Sequence, residues 1–224
     1  QDAFAYNSQM KAAAAQKSGR LAKEIVAVEI PQRKIDHIVF KDDEFIKPNS
    51  SKEILAKLRP AFKKDGGSVT AGNASGLNDG AAATLIASED AVKKYNLKPM
   101  ARIVSSAVVG VEPRIMGIGP VKASNKALEK AGLAMEDMDV IELNEAFASQ
   151  ALACIRAWGL QDDDPRINPN GGSIAIGHPL GVTGARITYS AALELQQTKK
   201  KYALVTMCIG VGQGYAAIIE NVNV

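Results

Sequence analysis

MDVIELNEAFASQALACIRAWG, the sequence of residues 138–159, predicts a buried strand followed directly by a helix. Met138–Leu143 is a short apolar run of the length that strands have, and Asn144–Trp158 is rich in alanine and ends at Gly159. Gly is common just after the last residue of a helix because it adopts the left-handed conformation without strain. A strand that leads into a helix is the repeating unit of an α/β protein, so this segment predicts that class.

The same alternation of strand and helix extends in both directions along the chain. Before residue 138, the patterns predict an opening helix that ends near Gly19, a strand at Ile25–Ile30, a short helix at Ser51–Leu58, a buried strand at Ala81–Ser88, a helix at Glu89–Tyr95, a strand at Ala101–Val109 and a helix at Gly119–Gly132. After residue 159, they predict a helix at Pro179–Gln197 and adjacent strands at Tyr202–Cys208 and Tyr215–Ile219. Residues 32–65 are otherwise polar and irregular. We therefore predict an α/β layer.

Composition excludes several classes of protein. The 224 residues are 46% hydrophobic and 23% charged, as expected of a soluble globular protein, and no apolar run approaches the ~18 residues of a membrane span. Two Cys and two His are too few for a zinc site or a disulfide framework, which indicates a reducing compartment. The chain opens inside a helical pattern at Gln1, so we expect it to be the C-terminal part of a longer polypeptide.

Positive charge is concentrated near the start of the chain. Residues 1–65 hold 13 Lys and Arg against 9 Asp and Glu, whereas the remainder holds 14 against 15. Such an excess can attract a phosphorylated ligand, although a solvated lysine-rich surface is the simpler interpretation. Nucleic acid is a weaker candidate than a small phosphate ligand, because aromatic residues make up 5% of the chain and none alternate with the basic residues as a stacking surface requires.

His178 and Cys208 each lie in a turn marked by glycine, within Gly177-His178-Pro179 and Cys208-Ile209-Gly210-Val211-Gly212-Gln213-Gly214. A His and a thiol presented from such turns can exchange protons, and the glycines can expose backbone N–H donors beside them. The alternative is a buried thiol at the end of a strand and a histidine that caps a loop.

Predicted helix starts carry two of the candidate residues. Asn144 is a good N-cap, which is the structural alternative to a functional role. His178 precedes Pro179, which suits the first position of a helix. The positive end of a helix would lower the pKa of a nearby thiol and hold a neighbouring imidazole neutral.

Four motifs together resemble the thiolase family: Asn144-Glu145-Ala146-Phe147, Gly177-His178-Pro179, the Cys208–Gly214 turn and the Thr70–Ala81 segment. The resemblance covers essentially the whole chain. Thiolases condense two acetyl-CoA molecules or cleave a 3-oxoacyl-CoA with free CoA. Their fold consists of two similar α/β halves, each a mixed five-stranded sheet flanked by helices, with a loop domain inserted in the first half. The resemblance implies that residues 1–76 end the loop domain, residues 77–96 end the first half and residues 97–224 form the second half.

The resemblance also implies roles for individual residues. His178 would take the proton of the acyl-accepting nucleophile and share an oxyanion site, which a water held by Asn144 would complete. Cys208 would be the second acid/base, and the Gly210 N–H would serve a second oxyanion site. CoA contacts would come from Ser75, Ala71 and Lys47, and the acyl pocket from Met116 and Phe147, although core packing explains the last two equally well.

One departure from the family is the missing nucleophile. The nucleophilic Cys of thiolases lies upstream of the position of Gln1, and Cys154 cannot replace it because its helix neighbours indicate a buried, inert thiol. We therefore expect the isolated chain to be inactive, and a CoA-binding module without chemistry remains the alternative. Ketoacyl synthases share the fold but use a second His where this chain has Cys208.

The substrate stays open at this stage, between acetoacetyl-CoA, longer 3-oxoacyl-CoA and 3-oxoadipyl-CoA, as does the direction of the reaction. The resemblance implies CoA thioesters as substrates, no permanently bound cofactor and no metal. It also implies a cytoplasmic enzyme of the fatty acid metabolism type that forms a homodimer or homotetramer, without nucleic acid or membrane partners.

Overall fold

A four-stranded mixed sheet forms the centre of the computed structural model, which describes residues 1–33 and 35–224. In chain order the helices and strands are α1 (Asp2–Lys17), β1 (Val28–Ile30), β2 (Ile38–Phe40), α2 (Lys52–Leu55), α3 (Glu89–Lys94), β3 (Ala101–Gly110), α4 (Gly119–Ala131), β4 (Val140–Leu143), α5 (Ala148–Ala157), α6 (Ser173–Ile176), α7 (Thr183–Thr198), β5 (Tyr202–Ile209) and β6 (Gln213–Asn221). Short 3₁₀ turns occupy Leu21–Lys23, Pro113–Ile118 and Met135–Asp137.

The strand order of the main sheet is β3-β6-β5-β4. β5 and β6 form an antiparallel hairpin, as predicted, β3 is antiparallel to β6, and β4 is parallel to β5. Beyond β4, Ile167 forms a parallel bridge to Ile141, so this segment takes the fifth position of the sheet with a single bridge instead of a strand. The predicted fold class, a mixed sheet flanked by helices, is confirmed.

The two faces of the sheet bury different helices, because successive residues of a strand point to opposite sides. Ile141 and Leu204 pack against α4 and α5 on one face. Val140 and Val205 pack with Ile187 and its neighbours on α7 on the other face. β4 is therefore apolar at adjacent positions, as a strand covered on both sides must be.

The predicted buried strand Ala81–Ser88 is wrong. Residues 81–88 have no regular secondary structure and their side chains are exposed, including Leu85 and Ile86. An apolar run becomes a strand only where a neighbouring strand completes its hydrogen bonds. In the described part of the chain, no strand pairs with this segment.

The helix predicted from Asn144 begins four residues later, at Ala148. Phe147 is extended and forms an antiparallel bridge with Ala74, which holds the intervening residues out of the helix. Asn144 is therefore not an N-cap. Its polar side chain is left for another role.

The helix predicted from Pro179 begins at Thr183. The Pro179 carbonyl accepts the N–H groups of Val182 and Thr183, so residues 179–182 form a turn that leads into the helix. Pro179 accordingly does not occupy the first position of α7, and His178 lies about one turn before that helix.

The described residues 1–33 and 35–224 include no helix that is both long and apolar enough to cross a membrane.

Asn168 fixes the end of β4. Its Oδ1 accepts the Leu143 N–H at 2.9 Å, and its Nδ2 donates to the Leu143 carbonyl at 2.9 Å and to Glu145 Oε1 at 2.7 Å. Asn168 is 2% exposed and has a φ of 43°, which Asn tolerates better than most residues. One side chain thus pairs both backbone groups of the last residue in the strand.

We predict that Asn168→Ala in the full-length protein lowers the free energy of unfolding by about 2–4 kcal/mol, because it leaves the buried polar groups of Leu143 unpaired. Urea unfolding measures the change. Asn125→Ala, at an exposed position of α4, is the matched control and should change stability by less than about 0.5 kcal/mol. Equal effects of the two substitutions would show that Asn168 does not hold the strand end.

Candidate active site

The candidate site lies where the parallel strands β4 and β5 end side by side. The Asn144 N–H donates to the Thr206 carbonyl at 3.0 Å, which continues the pairing one residue past β4. Cys208 lies two residues further along β5. The carboxyl ends of parallel strands are a common location for ligand sites in α/β folds.

Asn144 contacts His178 directly. Its Nδ2 lies 3.3 Å from His178 Nε2, and its Oδ1 accepts a hydrogen bond from Ser173 Oγ at 2.5 Å. Asn144 is 1% exposed and His178 8% exposed. The structure therefore brings together two of the residues that the sequence singled out.

Thr183 determines which nitrogen of His178 carries the proton. The Thr183 hydroxyl donates to the Pro179 carbonyl at 3.0 Å, so its oxygen is free to accept from His178 Nδ1, which lies 2.7 Å away. Nδ1 therefore carries the hydrogen and Nε2 keeps its lone pair, which matches the Asn144 N–H that points at it. A neutral imidazole of this tautomer can act as a base through Nε2.

Burial lowers the pKa of His178, and the positive charge of Arg186 lowers it further. The sequence led us to expect a neutral imidazole, but from the positive end of a helix that would start at Pro179. The structure agrees with the expected lowering of the His178 pKa, but the lowering is caused by burial and a neighbouring cation.

Cys208 is 6% exposed and lies opposite Gly214 in the β5–β6 pairing. Burial raises the pKa of its thiol, so the expected lowering by a helix end is wrong. Among the described residues no hydrogen bond joins Cys208 to His178 or Asn144. What relates them is the sheet, because Leu143, which precedes Asn144, pairs with Thr206, two residues before Cys208.

The turn after Cys208 has an unusual backbone conformation. Val211 has a φ of 60° and Gly212 a φ of 89°. A Cβ at Gly212 would lie 2.3 Å from the Val111 carbonyl oxygen, so glycine is required there. Gly210 is exposed, and a Cβ at its position would have no atom within 4 Å.

The buried carboxylate of Glu145, the residue after Asn144, joins three separate segments of the chain by hydrogen bonds. Its carboxylate accepts from Ser8 Oγ at 2.7 Å, from Asn168 Nδ2 at 2.7 Å and from the Ile174 N–H at 3.1 Å. Burial raises the pKa of Glu145, and these three donors act in the opposite direction. A Cβ at Gly172 would lie 2.2 Å from the carboxyl carbon, which explains a glycine at this position.

Ser75 and Phe147 lie next to Asn144 in space. The Ser75 N–H and Oγ both donate to the Ala146 carbonyl, at 3.0 and 3.2 Å. The Phe147 ring packs edge-on against Phe62 with ring centroids 5.8 Å apart. Both residues lie beside the strand end that carries Asn144.

Lys47 is connected to the site through neighbouring residues. Its ammonium group lies 4.1 Å from the centroid of the Phe45 ring, and that ring reaches within 2.4 Å of where a Cβ on Gly76 would lie. The Gly76 carbonyl accepts a hydrogen bond from the backbone N–H of His178 at 3.3 Å. Lys47 itself is exposed.

Ala71 and Met116 lie in turns outside the helices and strands of the sheet. Ala71 is exposed on the turn that follows Thr70, and Met116 is half-buried in the 3₁₀ turn Pro113–Ile118. Within residues 1–33 and 35–224, neither side chain takes part in a hydrogen bond with His178.

Cys154 is an internal thiol of α5. It is fully buried, its Sγ donates to the Gly117 carbonyl at 3.4 Å, and burial raises its pKa to about 12. A thiol in this environment is a poor nucleophile, which agrees with the sequence-based interpretation.

Sequence reasoning missed Thr183 and Ser173. Thr183 is five residues after His178 and Ser173 five residues before it, so short hydroxyl side chains on both sides of a candidate His were the available signal. The described residues include no group of three His, Cys, Asp or Glu side chains that could hold a metal ion.

Comparison with known proteins identifies the family. The family model for the thiolase C-terminal domain matches residues 97–221, and that for the thiolase N-terminal domain matches residues 1–90. The chain belongs to the thiolase family.

Individual relatives agree with this assignment. The chain is 60% identical over 222 residues to the beta-ketoadipyl-CoA thiolase of Acinetobacter baylyi, covering 99% of this chain and 55% of the relative. It is 54% identical over 221 residues to the acetyl-CoA acetyltransferase of Chromobacterium violaceum, covering 99% and 56%. The crystal structure of human mitochondrial 3-ketoacyl-CoA thiolase superposes with a TM-score of 0.93 at 50% identity, covering 98% and 55%. The chain thus spans about half the length of these relatives.

We predict that Thr183→Val in the full-length protein shifts His178 away from the Nδ1–H tautomer, because the isosteric side chain has no oxygen to accept that hydrogen. Long-range ¹H–¹⁵N NMR of the imidazole reports the tautomer directly, with the resonance assigned by its loss in His178→Gln. Thr188→Val, which removes a hydroxyl bonded to Gly184 on the same helix, should leave the spectrum unchanged. An unchanged His178 spectrum in Thr183→Val would contradict the assignment.

Proposed function

We propose that this chain supplies the general base and the second acid/base group of a thiolase, which cleaves a 3-oxoacyl-CoA with CoA or condenses two acyl-CoA molecules. The observation that carries the proposal is the Asn144–His178 pair, in which Nε2 of a neutral imidazole faces an amide donor 3.3 Å away. Cys208 at the end of the neighbouring strand supports it. Membership of the thiolase family gives the reaction class.

In the first step, His178 Nε2 would accept the proton of an acyl-accepting thiol. In the condensation direction the thiolate then attacks the thioester carbonyl carbon of the first acyl-CoA, and negative charge develops on the carbonyl oxygen. The protonated Nε2 would become a donor to that oxygen, and Asn144 Nδ2 is a second N–H at the same place, directly or through a water. When the CoA sulfur leaves, His178 returns its proton to it.

In the second step, Cys208 would transfer the α-proton. Burial raises the pKa of its thiol, so the resting group holds its proton. In cleavage the acyl-accepting thiolate attacks the 3-oxo carbonyl carbon, the Cα–Cβ bond breaks, and the Cys208 thiol can protonate the departing carbanion. The resulting Cys208 thiolate then takes the proton of the incoming CoA thiol, which attacks the acyl group. The Gly210 N–H, at the exposed turn beside Cys208, would donate to the enolate oxygen.

CoA would lie along the surface that runs from Lys47 past Phe45 to Ser75. Lys47 offers an exposed ammonium group to phosphate, and Ser75 and Ala71 lie in a turn of small residues that a pantetheine chain can approach. Phe147 and Met116 would line the acyl pocket. No permanently bound cofactor enters this proposal.

The acyl-accepting thiol would lie outside residues 1–224. Cys154 is buried in α5, and Cys208 is assigned to the second step. The isolated chain should then be inactive. In this proposal residues 1–76 belong to the loop domain, 77–96 to the first thiolase half and 97–224 to the second, and the enzyme is a cytoplasmic homo-oligomer.

For the substrate we favour a 3-oxoacyl-CoA of the 3-oxoadipyl type, because the relative of 60% identity is a beta-ketoadipyl-CoA thiolase. Acetoacetyl-CoA is the second candidate, since the relative of 54% identity is an acetyl-CoA acetyltransferase.

We predict that the full-length protein cleaves 3-oxoadipyl-CoA in the presence of CoA, with a kcat/KM roughly tenfold or more above that for acetoacetyl-CoA, since a site that pairs a carboxylate rejects an analogue lacking it. Loss of the 3-oxoacyl-CoA absorbance measures both rates. Preference for acetoacetyl-CoA would select the second candidate. Failure to cleave either, by folded protein, would contradict the thiolase proposal.

We predict that the acid limb of kcat/KM for thiolysis lies below pH 6.5, the ordinary pKa of His. The sign follows from the lowered pKa of His178: the base must be neutral, and a group of lowered pKa stays neutral to lower pH. Activity should therefore persist between the lowered value and pH 6.5 and fall only as the pH drops through that lowered value. An acid limb above pH 6.5 would contradict the role of His178 as the base.

A further inference from the structure

Ser173 lies directly behind Asn144 at the start of α6. It is fully buried, and its Oγ lies 2.5 Å from Asn144 Oδ1. On its other side, Arg186 Nη2 of α7 lies 3.4 Å from the same oxygen. Three polar groups thus form a line from α7 to Asn144, and Asn144 continues it to His178.

The donor and acceptor groups at the two ends of the line, Arg186 and His178, together indicate the direction of each hydrogen bond. Arg186 can only donate, so the Ser173 oxygen accepts from it and the hydroxyl hydrogen is left to donate. The Asn144 atom that faces Ser173 is the amide oxygen, which accepts that hydrogen. The amide nitrogen consequently points at His178, whose Nε2 carries a lone pair because Thr183 accepts the hydrogen of Nδ1.

We propose that Ser173 is a positioning residue that holds the Asn144 amide with its N–H groups toward the reacting atoms. Its effect on catalysis rests on the proposed function, whereas its effect on the orientation of Asn144 does not. Arg186 acts one step further back by orienting the Ser173 hydroxyl.

Loss of the Ser173 hydroxyl would let the amide rotate by 180°. Asn144 Oδ1 would then face His178 Nε2, where it repels the lone pair of the neutral ring and accepts a hydrogen bond from the protonated ring. The flipped amide therefore favours protonated His178 and removes the N–H donor from the site. A residue that only fills space would do neither.

The charged surroundings of His178 stay the same in this comparison. Arg186, on α7, is the charged group whose field acts on His178. Asp43 and Glu142 lie in the field of Arg186. Replacing Ser173 with Ala changes none of these charges, but it also releases Arg186 Nη2 from the Ser173 oxygen. The His178 titration is therefore compared in the wild-type and Asn144→Ala backgrounds: a shift that requires Asn144 reports on the amide, and a shift that persists without Asn144 reports on Arg186.

The test is Ser173→Ala in the full-length protein. We expect the NMR titration of His178 to move to higher pH, the acid limb of kcat/KM to move in the same direction, and kcat to fall roughly 10- to 100-fold. The NMR measurement needs no substrate, so it tests the inference even if the protein lacks thiolase activity. Ser173→Thr keeps the hydroxyl and should restore the wild-type titration. If Ser173→Ala does not fold, Ser173→Cys replaces it, because a thiol is a weak donor.

Two controls separate positioning from packing. Ser190→Ala removes another buried hydroxyl, which donates to Glu24, and should leave the His178 titration unchanged. In an Asn144→Ala background, Ser173→Ala should cause no further loss of kcat, because Ser173 acts through Asn144. An unchanged His178 titration in Ser173→Ala, or losses that multiply in the double variant, would overturn the proposal.

Discussion

The buried carboxylate of Glu145 is the contact on which the arrangement of the site depends. It joins Ser8 of α1, Asn168 at the edge of the sheet and the Ile174 N–H of α6. A buried carboxylate is tolerated only when its oxygens are paired, so these three segments must come together around it. Because Asn144 precedes Glu145 and Ser173 precedes Ile174, satisfying Glu145 also brings the amide and the hydroxyl of the site within 2.5 Å.

Much of the fold could be predicted from local pattern. The ends of α4 and the β5–β6 hairpin agree closely with the prediction, because a glycine after a helix and apolar runs on either side of a glycine turn are local signals. The predictions failed where residues distant in the sequence determine the local structure. Residues 81–88 lack a partner strand in the described chain, and the Phe147–Ala74 bridge delays α5 until Ala148.

The site was predictable in its residue types and less so in its electrostatics. The glycine turns singled out His178 and Cys208. The structure brings His178 into contact with Asn144 and places Cys208 on the neighbouring strand β5. The pKa of Cys208 moves in the direction opposite to that predicted, because burial disfavours the thiolate. The contacts of Thr183 and Ser173 could not be read from the sequence, since a hydroxyl carries no signal of which group it will meet.

The central claim is that His178 and Cys208 perform separate proton transfers at one site. The most direct test incubates full-length Cys208→Ala with acetyl-CoA in D₂O and measures two exchanges: labelled CoA into acetyl-CoA, which requires only acyl transfer, and deuterium into the acetyl methyl group, which requires removal of the α-proton. The account predicts that CoA exchange continues near the wild-type rate while deuterium incorporation falls roughly 10²–10⁴-fold. Retention of both exchanges, or equal loss of both, would contradict it.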